Sequence, residues 1–124
     1  MTGLLISDDL IFSSRITGTA RAHGGTMRVV RSADQAMTLW PEVNPTCLIV
    51  DLQNPGLVIE PLMSFVRSQG GPAVRVVAYG SHVAADVLKA ARTAGCDLVL
   101  PRSKFVADLE TNLPAWLASP VPSV

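Results

Sequence analysis

The stretch TCLIVD, residues 46–51, decides the fold that we expect for this chain. A short apolar run of this kind is typical of a fully buried strand, and this one ends on the carboxylate of Asp51. A second run, LLIS at residues 4–7, leads directly into Asp8 and Asp9. Three carboxylates at one edge of a sheet repel one another unless a cation offsets their charge. The two runs therefore predict a metal and phosphoryl site at the ends of two buried strands.

The composition favours a single α/β domain. The chain has 124 residues, and its ten Lys and Arg balance its ten Asp and Glu. This balance gives no sign of nucleic-acid binding or of a basic membrane patch. No apolar run approaches the length of a membrane span, and the N-terminal run is too short for a signal peptide. We expect a cytoplasmic domain over residues 1–118 and a flexible C-terminal tail over residues 119–124.

The cysteines and histidines do not indicate a metal centre of their own. Cys47 and Cys96 are far apart and outside any metal-ligand spacing, so we expect reduced, buried, structural thiols. His23 and His82 have no Cys or His near them at ligand spacing. Zinc chemistry is therefore not expected.

Short apolar runs alternate with helical patterns five times along the chain. The predicted strands are residues 3–7, 27–31, 47–51, 74–79 and 98–100, and the predicted helices are residues 10–23, 33–39, 60–68, 82–93 and 103–113. Continuously apolar strands between helices imply a parallel sheet that is covered on both faces. We therefore predict a doubly wound, flavodoxin-like (βα)5 fold with strand order 2-1-3-4-5. Such sheets bind ligands beyond the carboxyl ends of their strands.

Glycine and proline residues set the predicted helix ends. The stops are Gly24-Gly25, Pro41, the Gly-Gly-Pro run at 70–72, and Pro114, which either ends or kinks the last helix. We expect Ser103 to cap the last helix. The predicted inward faces are Phe12, Ile16, Ala20 and His23 on the first helix and Val83, Val87, Leu88 and Ala91 on the fourth. Tyr79 is expected to pack at the rim of the sheet.

Three motifs stand at the ends of the predicted strands. Asp8-Asp9 follows the first strand, LIVDL at 48–52 is followed by Pro55-Gly56, and AGCD at 94–97 precedes the fifth strand. With these motifs in this order of elements, the chain resembles the receiver domain of bacterial two-component response regulators. The resemblance covers roughly residues 3–117.

The resemblance implies a role for each acid. Asp51 would accept a phosphoryl group from the histidine of a partner kinase, and a carboxylate is a competent acceptor when a metal offsets the repulsion. Asp9 would bind Mg²⁺ directly, together with Asp51 and the backbone carbonyl of Gln53, and Asp8 would act through water. Alternatively, Asp8 caps the first helix and Asp9 favours its dipole. Both interpretations can hold together.

Other positions depart from the receiver pattern. Gly80 stands where receivers carry a Ser or Thr, and the neighbouring Ser81 either substitutes for that switch hydroxyl or caps the fourth helix. Arg102 aligns with the family's Lys as a phosphate contact, although it could instead be solvated beside the helix cap. Ser103 replaces the following Pro, and Val99 replaces the aromatic switch residue. The acceptor half of the site is thus retained and the half that reports phosphorylation is altered.

The leading hypothesis is a stand-alone receiver that is not an enzyme. It would accept a phosphoryl group on Asp51 with Mg²⁺ from a sensor histidine kinase or phosphotransfer protein, and signal to an unknown downstream protein. The resemblance also suggests a homodimer through the face of helix four, strand five and helix five, with candidate surface residues Asp86, Lys89, Arg92, Asp108 and Glu110. The alternative is an atypical receiver, a phosphorylation-independent protein interaction module. A small enzyme or flavin binder is less favoured because the acidic rim would repel a flavin phosphate.

Overall fold

The computed structural model describes residues 1–69 and 74–118, in which strands and helices alternate. The strands are β1 (Thr2–Ile6), β2 (Thr26–Val30), β3 (Cys47–Asp51), β4 (Arg75–Gly80) and β5 (Leu98–Pro101). The helices are α1 (Leu10–Ala22), α2 (Ala33–Val43), α3 (Ile59–Ser68), α4 (Ala85–Thr93) and α5 (Arg102–Leu117). The strands form one parallel sheet in the order β2-β1-β3-β4-β5. The predicted flavodoxin-like fold is confirmed.

Helices cover the sheet on both faces because successive strand residues point to opposite sides. Leu48 and Val50 of β3 pack with buried residues of α2, α3 and α4. Cys47 and Ile49 of the same strand pack with α1 and α5. Every residue of β3 is buried, as expected for the central strand of a doubly wound sheet.

The strand register sets the site at the carboxyl edge. Ile6 pairs with Val50, so Ser7 follows β1 beside the end of β3. Asp51 pairs with Tyr79 of β4. Ser7, Asp51 and Tyr79 therefore form one row across three neighbouring strands.

The expected stop at Pro41 was wrong. Helix α2 runs through Pro41 to Val43 and ends at Asn44, which has a left-handed backbone with φ 46°. Trp40 is buried, and its ring packs edge-on against Phe65 at 5.6 Å. Tertiary packing thus offsets the backbone hydrogen bond that a proline removes.

The predicted starts of the last two helices were also wrong. Helix α4 begins at Ala85 without a side-chain cap, because the hydroxyl of Ser81 accepts from the N–H of Val83 in a preceding turn. Helix α5 begins at Arg102 after Pro101 and likewise lacks a side-chain cap, so Ser103 lies inside it. Pro114 also lies inside α5, which continues to Leu117.

Several packing predictions need correction. Leu88 and Ala91 of α4 are buried, but Val83, which precedes the helix, and Val87, which lies within it, are exposed. His23 is also exposed, since it is the residue that ends α1. Tyr79 is fully buried and does not lie at the rim.

Other expectations concern the thiols, membrane spans and two short segments. Cys47 is a buried thiol, whereas Cys96 is only half-buried. None of the helices in the described part of the chain has the length and apolarity needed to cross a membrane. The predicted Gly-Gly-Pro stop at 70–72 and the predicted tail at 119–124 lie outside the described residues.

Candidate functional site

Asp51 ends β3 and is only 3% exposed. The hydroxyl of Ser7 donates to its Oδ2 at 2.9 Å, and the backbone N–H of Gln53 donates to its Oδ1 at 3.0 Å. A buried carboxylate is tolerated when hydrogen bonds or an opposite charge replace its lost water. The sheet and the following turn supply both hydrogen bonds.

Arg102 provides the opposite charge. Its Nη2 lies 3.9 Å from Asp51 Oδ1 and donates to Gln53 Oε1 at 3.4 Å. Its guanidinium also stacks over the rings of Phe12 and Tyr79, with Cζ 5.3 and 5.9 Å from their centroids. These contacts hold the positive charge next to Asp51, although the Arg102 side chain is still 40% exposed.

Asp9 caps α1, whereas the alternative in the sequence assigned the cap to Asp8. The Oδ1 of Asp9 accepts from the N–H of Phe12 at 2.9 Å, and the Asp9 N–H donates to the Ser7 hydroxyl at 3.2 Å. The side chain of Asp8 is exposed. Ser7 thus connects the backbone of Asp9 to the carboxylate of Asp51.

Asn54 joins the loops beside the acidic pair. It is buried, its Oδ1 accepts from the N–H of Asp8 at 2.9 Å, and its Nδ2 donates to the carbonyl of Arg31 at 2.8 Å. The turn after β3 is thereby tied to the ends of β1 and β2. Sequence reasoning missed Asn54 because its two partners lie in other loops.

The acids of this edge fit Mg²⁺ by donor type. In the described residues, no group of three or more His, Cys, Asp and Glu side chains is placed to hold a metal ion. Magnesium requires less, since it is usually bound through one or two carboxylates and keeps several waters. Asp9, Asp51 and the carbonyl of Gln53 are hard oxygen donors of the kind that it prefers.

Tyr79 was expected at the rim of the sheet but is buried at this edge. Its ring stacks on Phe105 at 4.5 Å and contacts Phe12 at 5.0 Å. Its hydroxyl is buried and has no hydrogen-bond partner among the described residues. Burial, and then the charge of Asp51, raise the pKa of Tyr79 above its ordinary value, and the nearby Ser7 hydroxyl opposes them in part. The phenol is therefore neutral and able to donate.

The switch positions show what the edge lacks. Gly80 has no hydroxyl. The site has room for a small side chain, because a Cβ there would lie 3.4 Å from Leu52 Cβ, in ordinary contact. The oxygen of the Ser81 hydroxyl accepts from the N–H of Val83 in its own turn. A cleft of about 340 Å³ opens nearby, lined by Gln53, Ser81, His82, Arg102 and Ser103.

Three solved structures of receiver domains share this architecture. The response regulator receiver protein from Burkholderia phymatum is 23% identical, with 97% of this chain and 98% of that chain covered and a TM-score of 0.69. The receiver domain of a DNA-binding response regulator from Colwellia psychrerythraea 34H is 18% identical over 93% of this chain and 96% of that one, with a TM-score of 0.77. The receiver domain of Ssk1 from Saccharomyces cerevisiae was solved with the histidine phosphotransfer protein Ypd1. It is 18% identical over 94% of this chain and 88% of that one, also with a TM-score of 0.77.

Sequence comparison adds no relative. No protein-family model matches the chain, and no curated protein matches it. The structural similarity is nevertheless extensive, because it covers more than nine-tenths of this chain in each of the three pairs. The chain therefore has the fold of response regulator receiver domains, as its resemblance to them in sequence predicts.

Proposed function

We propose that this chain is a receiver module of a phosphorelay that accepts a phosphoryl group on Asp51 and signals through protein contacts. The observation that carries the proposal is the pairing of Asp51, at the end of β3, with the Arg102 guanidinium 3.9 Å away. An oxygen of Asp51 would attack the phosphorus of a phosphohistidine. The P–O bond would form as the P–N bond breaks, and the leaving imidazole would keep the electron pair. The module has no enzymatic activity of its own in this scheme.

The neighbours of Asp51 would each support the transfer. Arg102 would offset the charge of the incoming phosphoryl group, since a guanidinium binds phosphate oxygens well. The N–H of Gln53 would orient the carboxylate. Mg²⁺, when bound by Asp9, Asp51 and the carbonyl of Gln53, would reduce the repulsion between the anions. Asp8 would contribute through water, as suits its exposed side chain.

The phosphoryl donor would be a sensor histidine kinase or a phosphotransfer protein. The complex of the Ssk1 receiver domain with Ypd1 supports a donor of the second kind. The output would be an unidentified downstream protein. The dimer face proposed from the sequence presents exposed charges at Asp86, Lys89 and Arg92, while Asp108 pairs with Lys104 at 2.9 Å. Glu110 lies toward α1 instead, with its Oε1 3.3 Å from Nε2 of His23.

The test is incubation with acetyl phosphate and Mg²⁺, followed by intact mass spectrometry. We expect the wild type to gain one phosphoryl group and Asp51→Asn to gain none. Asp34→Asn, which alters an exposed acid in the first turn of α2, is the matched control and should behave as the wild type. EDTA should prevent the gain. No mass gain in the wild type at high donor concentration would refute the proposal.

The second candidate is a phosphorylation-independent protein interaction module. It is favoured by the burial of Asp51, by the hydrogen bonds that already occupy both of its oxygens, and by the missing hydroxyl at Gly80. On this hypothesis Asp51→Ala leaves the affinity for the partner unchanged. A large loss of affinity in that variant would exclude it.

A further inference from the structure

A polar row crosses the carboxyl edge of the sheet, formed by Ser7, Asp51 and Tyr79. The three residues belong to neighbouring strands or their ends, and Asp51 is the direct register partner of Tyr79. All three are buried. Buried polar side chains in one row are expected to be hydrogen-bonded to one another or to another partner.

Only half of this row is connected. Ser7 donates its one hydroxyl proton to Asp51 and accepts from the N–H of Asp9. The Tyr79 hydroxyl makes no hydrogen bond to the described residues. The Ser7 hydroxyl lies close enough to lower the pKa of Tyr79, but its proton goes to Asp51. A buried hydroxyl without a partner destabilises the fold. The unpaired hydroxyl of Tyr79, next to the candidate phosphoryl acceptor Asp51, therefore needs an explanation.

The ring of Tyr79 cannot easily leave this position. It lies between Phe105 at 4.5 Å and Phe12 at 5.0 Å, and the guanidinium of Arg102 covers it at 5.9 Å. The hydroxyl is therefore held at the end of β4, next to the strand that ends in Asp51. Packing alone accounts for the ring but not for the hydroxyl.

The other hydroxyls near this end of β4 are absent or lie outside the buried row. Gly80 has none, and the half-buried Ser81 accepts from the N–H of Val83 while keeping its own proton. Ser7 has no second proton to donate. In the described residues, Tyr79 is thus the hydroxyl donor of the row that remains available.

We propose that the Tyr79 hydroxyl donates a hydrogen bond to the phosphorylated side chain of Asp51, in place of the hydroxyl that this chain lacks at Gly80. The inference rests on the proposed function of Asp51. Phosphorylation adds oxygens with negative charge at the edge where the donor is unpaired, and a hydrogen bond to a charged acceptor is stronger than one to a neutral acceptor. Tyr79 would then stabilise the phosphorylated state.

The chain offers an unusually direct test, because Tyr79 is its one tyrosine. Protein labelled with ¹³C at tyrosine Cζ gives a single resonance that responds to hydrogen bonding of the hydroxyl. The wild type would be treated with acetyl phosphate and Mg²⁺ while its mass and this resonance are followed. The same treatment would be applied to Tyr79→Phe, which keeps the ring, and to Ser81→Ala as the matched hydroxyl deletion.

We expect the Tyr79 resonance to shift as the phosphoryl group is gained. After removal of the donor, Tyr79→Phe should lose the group about tenfold faster than the wild type, as for loss of one hydrogen bond to a charged group. Ser81→Ala should keep the wild-type lifetime. The resonance of the wild type tests the inference even if Tyr79→Phe folds poorly.

The outcomes separate the two proposals. A normal mass gain with an unmoved resonance and unchanged lifetime in Tyr79→Phe would overturn the role of Tyr79 and leave the proposed function intact. A shorter lifetime in Ser81→Ala alone would assign the hydroxyl to Ser81 and overturn the inference. No mass gain in the wild type would refute the proposed function, and the role of Tyr79 with it.

Discussion

The hydroxyl of Ser7 donates to Oδ2 of Asp51 at 2.9 Å, between two residues that are 44 positions apart and both buried. The contact exists because β1 and β3 are neighbours in the sheet and end at the same edge. It places the neutral hydroxyl of Ser7 against Asp51, whereas the acidic pair Asp8-Asp9 alone would predict mainly repulsion of its carboxylate. The orientation of Asp51 therefore depends on a residue that precedes the acidic motif.

Replacing Ser7 with alanine should lower the free energy of unfolding by about 2 kcal/mol, because a buried carboxylate loses one hydrogen-bond donor. Urea denaturation followed by circular dichroism measures the change. Ser14→Ala is the control, since the Ser14 hydroxyl is exposed and bonds only to the carbonyl of Leu10 in its own helix. That variant should stay within about 0.5 kcal/mol of the wild type. Equal effects of the two substitutions would contradict the importance of the Ser7–Asp51 contact.

A double-mutant cycle measures the coupling between Arg102 and Asp51. With Arg102→Met and Asp51→Asn we expect about 1 kcal/mol, since the side chain of Asp51 is only 4% exposed and is poorly screened. The pair of Arg28 and Glu42 is the control, because it has a similar separation of 3.8 Å but is 49% and 67% exposed.

The control cycle, with Arg28→Met and Glu42→Gln, should give at most about 0.5 kcal/mol. The coupling between Arg102 and Asp51 should also persist at high salt better than the control. A value near zero for both pairs would show that Arg102 is effectively solvated, the alternative left open by the sequence.

Gly80→Ala should be tolerated and should stabilise the fold by up to about 0.5 kcal/mol, because the unfolded chain loses freedom. The added Cβ would meet Leu52 Cβ and Leu88 Cδ2 at 3.4 Å, which is ordinary contact. Gly56→Ala is the contrasting variant, since Gly56 has φ 76° and an alanine there is strained by about 1 kcal/mol. Thermal unfolding distinguishes the two. If Gly80→Ala were destabilised, the site would have too little room for a side chain at position 80.

Because its thiols are buried or half-buried, we expect the folded state to lose stability at high pH. Burial raises the pKa of Cys47 from its ordinary 9.0 to about 12, and that of Cys96 to about 11. Above pH 9 the unfolded chain releases thiol protons that the folded chain keeps. The folded state then binds more protons, so its stability falls as the pH rises through this range.

Thiol reactivity checks the same property at neutral pH. A disulfide reagent should modify the half-buried Cys96 before the buried Cys47, which should react only as fast as the protein opens. In denaturant the two thiols should react alike. Rapid modification of Cys47 in the native protein would contradict its burial.

Local patterns predicted the strands and the ends of α1 and α3 well, and the ends of α2, α4 and α5 poorly. The run before Asp51 is buried on both faces, so its apolar composition alone identifies β3 to the residue. Ser81 and Ser103 look like helix caps in sequence, but a cap also requires the chain to turn so that the hydroxyl faces the first amides. At β4–α4 the chain makes an additional turn, and at β5–α5 the helix begins one residue earlier.

The sequence by itself determined a parallel α/β sheet and placed Asp8, Asp9, Asp51 and Arg102 at its carboxyl edge, because strand and helix periodicity are local properties of the chain. Only the tertiary structure decided which groups touch Asp51. Ser7 and Arg102 reach it from other strand ends, and Tyr79 is buried beside it, since hydrogen bonds and stacking depend on strand order and register. Those long-range relations leave no periodic signal in the residues that make them.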